Sequence, residues 1–116
     1  MLVARNDTRN TDLVTHGRVA SRPCSRIRGL IGTAPLRAGD GLWITPCNGI
    51  HMWFMSYALD IVYLDKDMRV IAIDENMRPW RTGRIVRGGR SVLELPAGTV
   101  QATSTCVGDA LSLKKL

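Results

Sequence analysis

Leu59-Asp-Ile-Val-Tyr-Leu-Asp-Lys-Asp-Met-Arg-Val-Ile-Ala-Ile-Asp74 decides the fold class of this chain. β-Branched and aromatic residues run from Leu59 to Leu64, and Arg69–Ile73 answers them across Asp65–Met68. Two such runs around a short polar connection read as a β-hairpin. Met68 stands where hairpin turns usually place glycine for a positive φ. The turn is therefore expected to be mildly strained, or longer than two residues. Alternation along the strand puts Ile61 and Tyr63 on one face and Asp60, Val62 and Leu64 on the other. A carboxylate on an apolar face needs hydrogen-bond donors, so Asp60 is expected to be partly buried with a partner.

Further strands flank this hairpin. Leu13–Ala20 reads as a strand interrupted by Gly17, Leu42–Thr45 as one stopped by Pro46, and Ser91–Leu95 as one closed by Pro96-Ala-Gly98. The threonine-rich stretch from Thr99 to Val107 is a candidate for one more, with Gly108-Asp109 turning into Ala110–Leu113. Pro23 near a start position, with Ile27, Leu30 and Ile31 at helical spacing, predicts one short helix near residues 23–31. Six to eight short strands and a single small helix predict a mainly β fold, a small antiparallel β-sandwich or barrel. Residues 1–12 are assigned to an N-terminal arm or edge strand, and 13–116 to a single β domain. The expected core is Leu30, Leu42, Ile44, Ile61, Tyr63, Ile71, Val92, Leu93, Leu95 and Leu111.

A chain of 116 residues suffices for one domain and one core without disulfide staples. Three cysteines, Cys24, Cys47 and Cys106, are an odd count and favour reduced thiols over a disulfide framework. No apolar run approaches the ~20 residues needed to cross a bilayer. The N-terminus has too short an apolar run and too much early charge for a signal peptide, so the expected compartment is the cytoplasm. The formal charge is +6, and 13 of the 16 basic residues are arginine, which suits contact with carboxylate or phosphate.

Pro46-Cys-Asn-Gly-Ile-His-Met-Trp-Phe-Met-Ser-Tyr57 places Cys47, His51 and Met55 at a spacing of four. Together with Arg26-Ile-Arg-Gly-Leu30, Leu59–Asp65, Pro79-Trp-Arg81, Val92-Leu-Glu-Leu-Pro-Ala-Gly98 and Gly108-Asp109, this block resembles the prokaryotic "domain of unknown function 192" family. The resemblance spans about residues 13–113 and implies a small β-sandwich resembling a jelly roll, with no agreed reaction or ligand. Members often carry a signal peptide or lipid anchor, neither of which is read here. The chain departs from the family pattern at Thr33, where arginine is common, and at Met68, where glycine is common.

Cys47, His51 and Met55 are soft and borderline metal ligands, and such a set is similar to the ligand run of blue-copper proteins, which needs a second histidine. His16 is the only other one. An extended backbone would hold positions four apart ~13 Å from one another, so packing is the preferred reading and no metal or other cofactor is expected. Cys47 as nucleophile with His51 as base would need hydrogen-bond reach and a lowered thiol pKa, for which the sequence offers no orienting third residue. For Asp60 the expected role is a structural ion pair with Arg26, locking helix to sheet. Paired acid–base work would need a second carboxylate such as Glu94 close by.

Arg78, Arg81, Arg84, Arg87 and Arg90 recur every third residue, with no acidic residue from Asn76 to Ser91. Gly83, Gly88, Gly89 and Pro79 make this a mobile basic loop, and Trp80 could stack a base. The reading preferred from sequence is a non-enzymatic binding module for a small ligand or partner protein. Its candidate contacts are Cys47, His51, Trp53, Asp60, Trp80 and Arg81. The alternatives are weak polyanion or nucleic-acid binding through the loop 78–90, and a soft-metal or thiol site at Cys47, His51 and Met55.

Overall fold

The computed structural model describes residues 1–20, 36–47, 49–51, 57–79 and 82–116, with residues 50, 51, 82 and 83 described by their backbone. The short helix expected near 23–31, and with it Arg26 and Leu30, lies outside the described residues. So do Cys24, Trp53, Met55, Trp80 and Arg81.

The hairpin forms as the sequence predicts. Strand β5 (Leu59–Leu64) pairs antiparallel with β6 (Val70–Met77), in register Val62 to Ile73 and Tyr63 to Ala72. Asp65 builds the turn: its Oδ1 accepts the N–H of Asp67 and of Arg69, each at 2.9 Å. Met68 takes a φ of 61°, the left-handed conformation that glycine adopts at no steric cost. The expected strain is therefore real, and local.

Seven strands make one sheet in the order β6-β5-β8-β3-β2-β1-β9. The remaining members are β1 (Leu2–Asn6), β2 (Thr11–Ala20), β3 (Leu42–Ile44), β8 (Ser91–Pro96) and β9 (Leu111–Lys115). Every neighbouring pair is antiparallel except β2 with β3. A separate two-stranded ribbon joins β4 (Gly49–His51) to β7 (Thr82–Ile85). The large sheet curls until its two ends meet. The Val70 N–H donates to the Asp109 carbonyl at 2.9 Å, the Gly108 N–H to Val70 at 2.7 Å, and Arg69 bridges Ala110. The fold is thus mainly β, a half-barrel closed at one end, as the alternating short strands required. No helix among the described residues is long and apolar enough to cross a membrane.

Three expectations about the elements change. The stretch assigned to an arm or edge strand contributes β1, which lies inside the sheet between β2 and β9. Its Leu2, Ala4 and Asn6 are all buried, since β1 is hydrogen-bonded along both sides. The threonine-rich stretch is not a strand: Thr99–Ala102 forms a single helical turn, α1. Gly98 enters it at a φ of 96°, and Asp60 Oδ2 accepts the N–H of Gly98 and Val100 at 3.0 and 2.9 Å. A distant carboxylate thereby caps the turn and overrides the β preference of threonine. Gly17 does not interrupt β2. The irregularity is a bulge at Thr15 and His16, whose N–H groups both donate to the Gly39 carbonyl at 2.9 and 3.0 Å. Gly39 has a φ of 92°, and a Cβ there would stand 2.5 Å from Thr15 Oγ1, so the approach admits no side chain.

The core has two halves on opposite faces of the central strands. One holds Leu42, Ile44, Cys47, Leu59, Ile61, Tyr63, Ala72 and Val92. The other holds Leu2, Leu13, Val14, Val62, Leu64, Val70, Leu93, Leu95, Val100 and Leu111. All six residues of β5 are buried, which is why its sequence is almost unbroken in apolar character. Ile71, expected in the core, is only partly buried on the edge strand β6.

Candidate functional site

The face of the sheet carrying Ile61 and Tyr63 gathers the chemistry. Register defines one row across five strands: Arg18 on β2, Leu42 on β3, Glu94 on β8, Ile61 on β5 and Asp74 on β6. Directly paired residues of neighbouring strands project to the same side, so these side chains share a face. The next row along is Ala20, Ile44, Val92, Tyr63 and Ala72.

Two different electrostatic situations stand on this face. Asp74 is fully engaged: its Oδ2 accepts the Tyr63 hydroxyl at 2.8 Å, and its Oδ1 pairs with Arg84 Nη2 at 3.3 Å. Arg84 reaches over from β7, lies 5.8 Å from the Tyr63 ring centroid, and also donates to the Ile73 carbonyl at 3.3 Å. Burial first, and then the bond to Asp74, push the Tyr63 phenol above its ordinary range. Glu94 is the opposite case. It is 4% exposed, and no hydrogen bond or ion pair to its carboxyl is found among the described residues. Desolvation alone pushes it up from 4.5 to about 8, so it is held largely as the acid at neutral pH.

The residues singled out from sequence are placed as follows. Cys47 is buried behind Pro46, its thiol donating to the Gly49 carbonyl at 2.8 Å and its N–H to Arg90 at 2.9 Å. His51 ends β4, its backbone paired with Thr82, so the chain between Gly49 and His51 is extended. His16, the other histidine, lies at the opposite end. The register of β2 on β3 sets it beside Asp40, with Nε2 2.7 Å from Asp40 Oδ1, whereas Cys47 follows the end of β3. No group of three or more metal-ligating side chains occurs among the described residues.

Asp60 is 1% exposed, and its donors are backbone groups: the Asn76 N–H at 2.8 Å, with Gly98 and Val100. It ties β5, β6 and α1 together. Asp60 and Glu94 cannot act as a pair, because Asp60 is opposite Leu95 while Glu94 is opposite Ile61, on the other face. The arginine-rich stretch is not simply a loop, since Thr82–Ile85 is strand β7. Nor is its charge wholly uncompensated, because Arg84 finds Asp74, which is ten positions away in sequence but adjacent in space. Arg78, Arg87 and Arg90 are exposed.

Sequence reasoning missed the roles of Tyr63, Asp74, Arg84 and Glu94. A signal existed for Glu94. It interrupts the run Ser91-Val-Leu-Glu-Leu-Pro96 in a strand buried on both faces, where an acidic residue is costly unless partnered.

A third buried carboxylate, Asp109, is structural. Burial pushes its pKa up, but hydrogen bonds from Asn6, the Cys106 N–H and Arg9 outweigh that and hold it below the usual carboxylate value. This cluster pins the loop before β9 to the residues after β1.

The fold recurs in solved structures. A Novosphingobium aromaticivorans protein of unknown function superposes with a TM-score of 0.82, at 21% identity, covering 96% of this chain and 82% of that one. A Sinorhizobium meliloti protein provisionally described as a transcription regulator gives 0.81 at 24% identity, covering 96% and 90%. Similar sequences include archaeal UPF0127 proteins. The one from Pyrococcus horikoshii is 26% identical over 111 residues, covering 91% of this chain and 94% of its own. Those from Thermococcus sibiricus and Pyrococcus furiosus are 31% and 30% identical over 53% and 58% of this chain, which align with only 40% and 57% of their own lengths. The family model DUF192, described as an uncharacterized ACR, matches residues 4–113, and this chain belongs to that family.

Proposed function

We propose that this protein is a non-enzymatic binding module whose site is the sheet face carrying Glu94, Ile61 and Tyr63. The observation that carries the reading is Glu94 itself. A carboxyl that is 4% exposed among apolar side chains, with no partner among the described residues, costs free energy, on the order of 1–3 kcal/mol for an unsatisfied polar group. Such a cost is expected where a group is kept for an incoming molecule. Non-enzymatic binding is supported by the state of the neighbouring groups. Tyr63, Asp74 and Arg84 are committed to one another, and the Cys47 thiol donates to its own loop.

A two-dimensional amide NMR titration with a small-molecule library tests the reading. Shifts should cluster at Leu42, Ile61, Tyr63, Val92 and Glu94. Shifts confined to Arg87 and Arg90 that fade with added salt would instead favour polyanion binding, which the exposure of those arginines supports as a second reading.

A further inference from the structure

Glu94 sits in the middle strand of the five-strand row, and its surroundings restrict what can approach it. Its nearest neighbours across the sheet are Leu42 on one side and Ile61 on the other, both buried. Along β8 the residues on the same face are Val92 and Pro96, two positions to either side. The backbone of β8 itself supplies no free donor, because β8 is hydrogen-bonded to β3 on one edge and β5 on the other. Among the described residues nothing within the sheet meets this carboxyl, which leaves the space above the sheet.

The charged and titratable groups facing it from the packed elements are few among the described residues. Arg18 stands at one end of the row on β2, and Asp74 at the other end on β6. Each is two strands from Glu94, ~10 Å at the backbone. Tyr63 on β5 and Arg84 on β7 are bound to Asp74, and Cys47 to Gly49. Among the described residues the walls are apolar and the nearby charges are paired or distant.

We infer that Glu94 is the polar anchor of a site for an apolar small molecule bearing one hydrogen-bond acceptor, such as a ketone, ester or amide carbonyl, to which its O–H donates. This rests on the binding reading above and names the ligand class for it. A neutral carboxylic acid in an apolar setting is a strong, preorganised donor to an uncharged oxygen. With burial holding the acid form to about pH 8, the donor persists through the neutral range. An ammonium ligand would have to ionise Glu94 against that desolvation. A carboxylate or phosphate would need a cation beside Glu94, and among the described residues the nearby Arg84 is already shared with Asp74.

Three ring compounds of one shape test the inference: cyclohexanone, cyclohexylammonium and cyclohexanecarboxylate. Each is titrated into protein carrying carboxyl-labelled glutamate and methyl-labelled Leu and Ile. Cyclohexanone should shift the Glu94 carboxyl carbon and the methyls of Leu42 and Ile61, and should raise the apparent pKa of Glu94. Its affinity should fall about tenfold for each pH unit above that pKa. Glu94→Gln, whose amide still donates, should bind within about threefold of wild type and lose the pH dependence. The wild-type titration decides alone if that variant fails to fold. Cyclohexylammonium binding that lowers the Glu94 pKa would leave the site standing and overturn the ligand class. So would cyclohexanone shifts indifferent to pH. If no probe moves the Leu42 or Ile61 methyls, both the class and the site fall.

Discussion

Asp60 and Glu94 show how a single step along a strand ladder decides the fate of a carboxyl. Both are nearly inaccessible, at 1% and 4% exposure, yet Asp60 accepts three backbone N–H groups and Glu94 meets apolar walls. The consequence for stability follows from linkage. Glu94 has a folded pKa of about 8 against an ordinary 4.5, so the folded state binds its proton more tightly. Its contribution is fully present below pH 4.5 and is lost as pH rises through 8. The loss is at most roughly 5 kcal/mol, the rise from 4.5 to about 8 taken at about 1.4 kcal/mol per unit. Glu94→Gln should flatten that decline, as read from urea denaturation at mildly acidic and mildly alkaline pH. Equal declines in wild type and variant would contradict the assignment. Asp109 runs the other way. Its lowered pKa gives stability above the usual carboxylate range that disappears on acidification.

At the scale of elements, the β5–β6 hairpin carries an identifiable strain. Met68 has a φ of 61° and a Cβ that glycine would lack. Met68→Gly should therefore stabilise by about 1 kcal/mol, relief of left-handed strain exceeding the entropy that glycine adds to the unfolded chain. A higher thermal midpoint would bear this out, and a lower one would mean that the Met68 side chain packs better than its backbone suffers. The β4–β7 ribbon makes a separate prediction. Arg84 serves Asp74, and among the described residues of this stretch Arg78, Arg87 and Arg90 stand as exposed charge. Electrophoretic shifts with DNA should show weak binding whose logarithm falls against log salt with a slope of about −3 at most. Changing Arg78, Arg87 and Arg90 to serine should remove it. Sequence-preferring binding that survives physiological salt would point to a dedicated nucleic-acid surface.

For the molecule as a whole, one sheet serves two cores, so its central strands are buried on both sides. Leu95 is fully buried in the half that also holds Leu2, Val62 and Leu111, which come from widely separated parts of the chain. Leu95→Ala should cost ~2–5 kcal/mol, a large fraction of the 5–15 kcal/mol typical of a domain. Chemical denaturation with unchanged m-value checks this. A loss under about half a kcal/mol, the level of an ordinary surface substitution, would mean the site collapses around the gap.

Period-two alternation and turn chemistry are local, and the sequence alone determined what they control: the Leu59–Ile73 hairpin, the strands near 13–20, 42–44 and 91–96, and the mainly β class. Its family motifs pointed to the same fold. Three features depended on pairing between distant segments. β1 became an interior strand because Leu111–Lys115 returns to cover its free edge. Thr99–Ala102 turned helical because Asp60, some forty positions earlier, caps it. The candidate site was invisible for the same reason. Arg84 meets Asp74 only once the ribbon folds over the sheet, and nothing in Val-Leu-Glu-Leu95 says that Leu42 and Ile61 will wall in the carboxyl between them. Local patterning sets which way each side chain points, whereas the register between strands decides what it meets there.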